Sequence, residues 1–261
     1  MSEGSTGAVP GYAAYEFDLP AALLEGLLEK LAAMLPARLS WSAASAIPDE
    51  QGVYQLFLDE TLVYIGKTDS EAGLRRRLAR HAGKIEHRKG LDPTRVWFKA
   101  MRIFVFTAVD LESALIKRAG GVSKVAWSGS GFGSNDPGRE RDTSTVKDDH
   151  FDALHPIDID RPIDLPLTTS APAASVLTSL KDALPYTFRF QTRSAKSKTA
   201  HADLLDTILP APPPAATART LITHVVGHLP PGWQATALPG YVILYKERRD
   251  DYPRADIIAR S

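Results

Sequence analysis

Five residues of this chain have types and spacings suited to chemistry on a phosphodiester: Tyr54, Tyr64, Arg77, His81 and Glu112. The tyrosines stand in Gly52-Val53-Tyr54 and Tyr64-Ile65-Gly66, two clusters separated by nine residues. Arg77 and His81 lie four apart in "RLARH", so on a helix their directions differ by about 40 degrees and both cover one face. Glu112 follows Asp110 in the opening turn of "DLESALIKRA", where the helix dipole favours a carboxylate. Hydrolysis uses such a set. A carboxylate holds one magnesium or manganese ion through oxygen, leaving other positions to water and phosphate. A guanidinium matches the charge that grows on the phosphoryl oxygens, and a phenol or imidazole takes the proton of the attacking water. A lone carboxylate argues against a two-metal mechanism. Taken without their companions, the two tyrosines would read as core rings with a polar handle.

The elements that must position these residues are legible in the pattern. Val53 to Leu58 and Leu62 to Ile65 are rich in β-branched and aromatic residues and flank the acidic turn Asp59-Glu60, which predicts a hairpin ending at Gly66. A helix begins at Asp69 and Ser70 and carries Leu74, Leu78 and Ile85 on its apolar side. "RVWFKAMRIFVFTAV" predicts a central strand covered on both faces, and Asp110 caps a helix with Leu111, Leu115 and Ile116 inside. Upstream, Asp18 caps a packing helix built on Leu23, Leu24, Leu27, Leu28, Leu31, Met34 and Leu35.

Downstream, "WSGSGFGSNDPGRERDTS" from Trp127 to Ser144 is a long glycine-rich loop of the kind that is functional or disordered. It lacks the Lys-Ser/Thr ending of a nucleotide-binding loop. After a proline-rich connector come helix "ASVLTSLKDAL", strand "YTFRF", helix "HADLLDTIL", helix "ARTLITHVVGHL" and strand "GYVILYKE". The fold class is therefore α+β, a small mixed or antiparallel sheet flanked by helices, with an N-terminal helix and a C-terminal α/β elaboration. We divide it into a flexible arm (1–17), a helical extension (18–50), the core with its loop (51–150) and a C-terminal region (151–261).

The 261 residues include 31 Lys and Arg against 31 Asp and Glu, so attraction to a polyanion must come from local clustering. Ten basic residues against two acids crowd Arg75 to Arg102, and four basic residues with no acid occupy Ala183 to Ala202. The absence of cysteine removes disulfides, thiolate nucleophiles and cysteine zinc sites. No apolar run is long enough for a membrane span and no basic, apolar leader opens the chain, which predicts a cytoplasmic protein without a membrane partner. His224 and His228 lie four apart without the glutamate of a zinc protease, so they read as packing or surface groups, and His87, His150, His155 and His201 form no ligand set.

In order and spacing, Gly52-Val53-Tyr54, Tyr64-Ile65-Gly66, "RLARH" and the glutamate helix resemble the GIY-YIG nuclease superfamily over roughly residues 50–130. The resemblance implies that Tyr54 acts on the attacking water, as or with the general base, and that Tyr64 and His81 complete its hydrogen-bonded group. It also implies that Arg77 stabilises the pentacovalent phosphate and that Glu112 is the metal ligand. Many members carry an asparagine shortly after the glutamate helix; this chain has Trp127-Ser128 there, and Asn135 fits only if its loop folds back to the site. The N-terminal helix, the "GFGSNDPGRERD" loop, "HPIDID" and "LPYTFRF" further resemble the type II restriction endonucleases of this superfamily that cut CCGCGG. That likeness implies a magnesium-dependent homodimer, each subunit cutting one strand of duplex DNA, paired in the host with a DNA methyltransferase. A two-fold dimer maps onto a palindrome, and arginines reach guanine O6 and N7. The candidate DNA contacts are Lys67, Arg76, Asn135, Arg139, Arg141, Arg189 and Arg193. The alternatives are a structure-specific repair nuclease on the same core and an inert DNA-binding module.

Overall fold

The computed structural model describes residues 10–11, 18–68, 72–104, 110–165, 169–211 and 216–261. The chain is α+β, and its apolar interior divides between a first sheet packed on both faces and a C-terminal unit. Helix α1 (Leu19–Ala33) opens it; the Asp18 side chain accepts the Ala21 N–H at 2.9 Å, as its position predicts. Strand β1 (Ala37–Arg38) and helix α2 (Trp41–Ser45) lead into the hairpin of β2 (Gly52–Leu58) and β3 (Thr61–Lys67), followed by α3 (Leu74–Glu86), β4 (Val96–Arg102) and α4 (Leu111–Arg118). The first sheet is wholly antiparallel, in the order β1-β4-β2-β3.

Alternation along β2 sorts its side chains between two layers. Tyr54 and Leu56 pack towards α3 with Leu74, Leu78 and Ile85, whereas Val53 joins Leu27, Leu31, Leu111 and Leu115 of α1 and α4 on the other face. The sheet is thus sandwiched between helices.

Two local expectations are corrected. The strand foreseen over "RVWFKAMRIFVFTAV" ends at Arg102; Ile103 and Phe104 continue outside it and residues 105–109 lie outside the described set. It is interior but not sealed, because Trp97 and Lys99 flank the buried Phe98 and, like Ala100 and Met101, remain partly exposed. The helix foreseen from Asp69 and Ser70, themselves outside the described residues, starts at Leu74 with Gly73 as its cap residue and no cap side chain of its own. A distant residue supplies the missing acceptor: the Asp49 carboxylate accepts from the Arg76 backbone N–H at 3.2 Å and from Arg76 Nε at 2.6 Å.

The second core belongs to the C-terminal part. It follows the short helix α5 (Phe151–Leu154) and comprises β5 (Ala171–Pro172), α6 (Ala173–Ala183), β6 (Thr187–Phe190), α7 (Ala202–Asp206), β7 (Ile208–Leu209), α8 (Ala218–Val226), β8 (Gln234–Leu238), β9 (Tyr241–Tyr245) and β10 (Asp256–Arg260). Its sheet runs β10-β8-β9-β6, with β6 parallel to β9 and the other pairs antiparallel. Leu177, Phe188, Leu221, Trp233 and Leu244 fill its centre, and Ile157 and Ile159 of "HPIDID" are buried there. Among the described residues no helix is long and apolar enough to cross a membrane.

Candidate active site

Strand register brings the two tyrosines together. Tyr54 is opposite Gly66 and Tyr64 is opposite Leu56, so all four point to the α3 face and the two rings become diagonal neighbours with centroids 6.0 Å apart. The pairing slips between Leu56 and Phe57, where Val63 is the extra residue of a bulge. Such a bulge re-aims the strand beside it, and here both Val63 and Tyr64 reach the α3 layer.

From α3, His81 meets this pair. Its Nε2 lies 2.8 Å from the Tyr54 hydroxyl, and both residues are buried. The three rings form a triangle, with His81 centroids 5.5 Å from Tyr54 and 5.6 Å from Tyr64. Arg77, one turn earlier on the same face, and Glu112, in the first turn of α4, complete the group, near enough for their charges to act on both phenols. The five residues singled out by type and spacing thus converge.

Burial sets their protonation. It pushes the Tyr54 hydroxyl well above the ordinary phenol value, with the Tyr64 phenol adding to the rise. Tyr64 is raised by burial and then by the Glu112 charge. His81 is held well below the usual imidazole value by burial and by the cations Lys84, Arg77 and Arg80, so its ring is neutral at neutral pH. The Glu112 carboxyl is raised, chiefly by burial. A neutral imidazole against a neutral phenol makes a hydrogen bond that runs in either direction, which suits proton transfer rather than charge pairing. The Arg77 Nε and His81 Nδ1 atoms are buried without a partner.

Glu112 fits a single hard cation. Its carboxylate takes part in no salt bridge among the described residues, and no cluster of three or more His, Asp or Glu side chains encloses a site there. That carboxylate, which accepts from the Lys67 backbone N–H, is the side chain that would hold such an ion, with water and phosphate completing its shell. Its neighbour Asp110 is occupied: the Lys67 ammonium 2.8 Å away and the Ser113 hydroxyl at 2.6 Å hold its carboxyl down to about 2.

No family model matches this chain, and no curated protein matches it.

The glycine-rich loop proves to be a wall of the site. Phe132 is buried and stacks on His81 with centroids 4.7 Å apart and ring planes at 22°, while its edge meets Tyr64 at 5.0 Å. A Cβ on Gly133 would stand 2.5 Å from the Tyr64 hydroxyl, so the loop backbone itself closes over that phenol. Trp127 and Phe151 pack behind Phe132, and Lys84 donates to the Phe132 carbonyl. Neither Phe132 nor Lys84 was singled out from the sequence. A lone phenylalanine among glycines carries no periodic signal, and Lys84 sat unmarked within a basic run.

The candidate DNA contacts fare unevenly. Asn135 and Arg141 are exposed on the loop that folds back over the site, and Arg193 is exposed on the C-terminal part. Lys67 and Arg76 are held by Asp110 and Asp49. Arg139 lies over the Tyr245 ring at 4.0 Å and pairs with Glu247 at 3.2 Å. Arg189, foreseen as a base reader, is only 14% exposed and donates to the buried carboxylate of Asp142, which also accepts from the Tyr245 hydroxyl at 3.2 Å. A guanidinium so placed ties the loop to the C-terminal sheet. The histidine pair is likewise structural: His228 Nδ1 donates to the His224 carbonyl at 2.8 Å and His224 Nε2 to that of Pro210 at 3.2 Å.

Proposed function

We propose that the chain is a metal-dependent DNA endonuclease hydrolysing phosphodiester bonds through Tyr54, Tyr64, Arg77, His81 and Glu112, on a core of GIY-YIG type. The observation that carries this reading is the buried bond of 2.8 Å between the Tyr54 hydroxyl and His81 Nε2, set beside a second phenol, the Arg77 guanidinium with its Nε unpartnered, and the Glu112 carboxylate. A merely structural tyrosine needs one partner for its hydroxyl. It does not need a cation and an anion converging on the same ring.

In this mechanism the attacking water donates to the Tyr54 hydroxyl oxygen, and as the proton of the water passes to that oxygen the Tyr54 proton passes to His81 Nε2, with the Tyr64 phenol beside them. Arg77 supplies charge to the phosphoryl oxygens as negative charge grows there. Glu112 is the side chain that would hold magnesium or manganese, which when bound neutralises the phosphate and stabilises the leaving oxygen. Phe132 and the loop backbone exclude bulk water from the His81 side, strengthening each of these interactions.

The finer reading is a type II restriction endonuclease cutting CCGCGG as a homodimer, with a host methyltransferase protecting the same site. It rests on the likeness of the loop and C-terminal motifs and on the match between one site per chain and a palindrome. Digestion of unmethylated plasmid with magnesium and with EDTA, comparing wild type with Glu112→Gln and sequencing the ends, tests both levels. Discrete ends at CCGCGG, lost with EDTA or the variant, support the whole reading. Discrete ends elsewhere keep the chemistry and discard the specificity. Cleavage only at branches or lesions marks a repair nuclease, and binding without any cleavage marks an inert module.

A further inference from the structure

A second basic site lies on the far side of the loop wall. A cleft of about 620 Å³ opens between α3, the glycine-rich loop and the edge of the C-terminal unit, and none of the five hydrolytic residues lines it. Its charged lining is Arg80, Lys84, Arg88, Arg141 and Lys147 against the single acid Asp152. Arg88 uses up that acid, donating to Asp152 at 2.7 Å, with Arg88 itself almost wholly buried. The other four cations have no carboxylate partner among the described residues, in a protein whose net charge is zero. Lys84 is half-buried and bonded only to the Phe132 carbonyl. Arg80, Arg141 and Lys147 are exposed and make no side-chain hydrogen bond among the described residues.

Arg80 and Lys84 are one turn apart on α3, while Arg141 and Lys147 come from the chain that crosses the opposite rim. Two cations on each rim of a walled depression concentrate positive potential where field lines cannot spread into solvent. Leaving so many like charges together costs the folded state, and an anion placed between them removes that cost. Arg88 Nε and the Tyr186 hydroxyl, in residues that also line the cleft, are buried without partners, so the floor holds polar atoms that the protein itself leaves unsatisfied. Ser134, Asn135, Ser144 and Thr145 add neutral donors. Guanidinium forks, ammonium groups and short hydroxyls and amides are the usual donors to phosphate oxygens.

We propose that this cleft is a phosphate-binding site that takes backbone phosphates of the nucleic acid away from the scissile bond, held by Arg80, Lys84, Arg141 and Lys147. It rests on the nucleic-acid substrate proposed above, and adds the path of the strand: past α3 and under the loop that carries Phe132. The same loop forms a wall of both sites. The cleft contacts carry no base information and set register and affinity.

The test is binding of a fluorescein-labelled duplex of arbitrary sequence, in EDTA so that cleavage plays no part, across a salt series. Wild type is compared with Arg141→Gln/Lys147→Gln and with the charge-keeping Arg141→Lys/Lys147→Arg. Loss of two phosphate contacts lowers the slope of log affinity against log salt by about 2 and weakens binding by about tenfold at low salt; the charge-keeping pair retains the wild-type slope. Thermal melting confirms folding, since neither side chain makes an internal bond. Wild-type slope in the Gln pair overturns the site, even if the enzyme cuts DNA. A lowered slope in a protein that never cleaves keeps the site and discards hydrolysis. No duplex binding by wild type, with inorganic phosphate protecting Lys84 from acetylation, overturns the nucleic-acid assignment in favour of a small phosphate ligand.

Discussion

Gly66 lies directly opposite Tyr54 in the β2–β3 ladder, and a Cβ at position 66 would collide with the Tyr54 hydroxyl and its Cζ atom. The second glycine of the paired motif is there because the phenol crosses its backbone. Its partner strand tolerates no side chain at that point.

Gly66→Ala therefore should lower stability by about 1–3 kcal/mol through overpacking and should abolish cleavage by displacing Tyr54 from His81. Gly26→Ala makes the opposite comparison: nothing lies within 4 Å of a Cβ there, in the middle of α1. It should stabilise by roughly 0.5–1 kcal/mol. Urea unfolding of both variants checks the pair; equal effects would mean that the approach of Tyr54 to Gly66 does not limit the fold.

Tyr54→Phe keeps the ring and deletes the bond to His81. We expect hydrolysis to fall roughly 10²- to 10⁴-fold, with about 1–3 kcal/mol lost because His81 Nε2 is left buried and unpaired. Single-turnover rates with full-length DNA decide it. Undiminished cleavage would take Tyr54 out of the chemistry and leave it a packing residue.

The Glu112 carboxyl, raised by burial, should titrate above 4.5 in metal-free protein followed by carbonyl NMR in EDTA. Because the folded chain then binds more protons than the unfolded one just above that value, this group contributes a loss of stability as pH rises through the window. Magnesium should move the midpoint down, since cation and proton compete for one oxygen pair. A midpoint at or below 4.5 in the absence of metal would contradict the buried placement.

Lys84 is pushed down to about 8 from 10.5, first by burial and then by Arg88. Between those values the unfolded chain holds the proton that the folded chain has released, so stability should climb as pH rises from about 8 towards 10.5. Lys84→Met lacks that climb. Its stability relative to wild type should be most favourable below about pH 8 and should shrink by on the order of 1–2 kcal/mol across the window. Denaturant melts at pH 7 and pH 10 measure the difference, and a constant gap would show that Lys84 is not strained in its charged form.

Much of this was readable from residue order. The hairpin, the helix of Leu74, Leu78 and Ile85 and the helix that follows Asp110 each follow from local periodicity, although the Asp110 carboxylate is taken by Lys67 and the Ser113 hydroxyl and makes no backbone cap. The boundary at Leu74 was missed because the acceptor of its first turn, Asp49, lies 27 residues upstream of Arg76, whose N–H it takes. The strand after Arg95 was drawn too long because an apolar run alone does not mark where pairing ends.

For the site, the sequence by itself determined which groups were available: two phenols, a guanidinium, an imidazole and a carboxylate, with Arg77 and His81 on one helical face. Tertiary structure decided everything that depends on approach between distant segments. Strand register set Tyr64 diagonal to Tyr54, Phe132 came across 51 residues to stack on His81, and Asp142 paired with Arg189 across 47 residues. Periodicity records only which neighbours share a face. It is burial, acting through contacts between those faces, that made His81 neutral, held Tyr54 protonated and left Arg77 Nε without a partner.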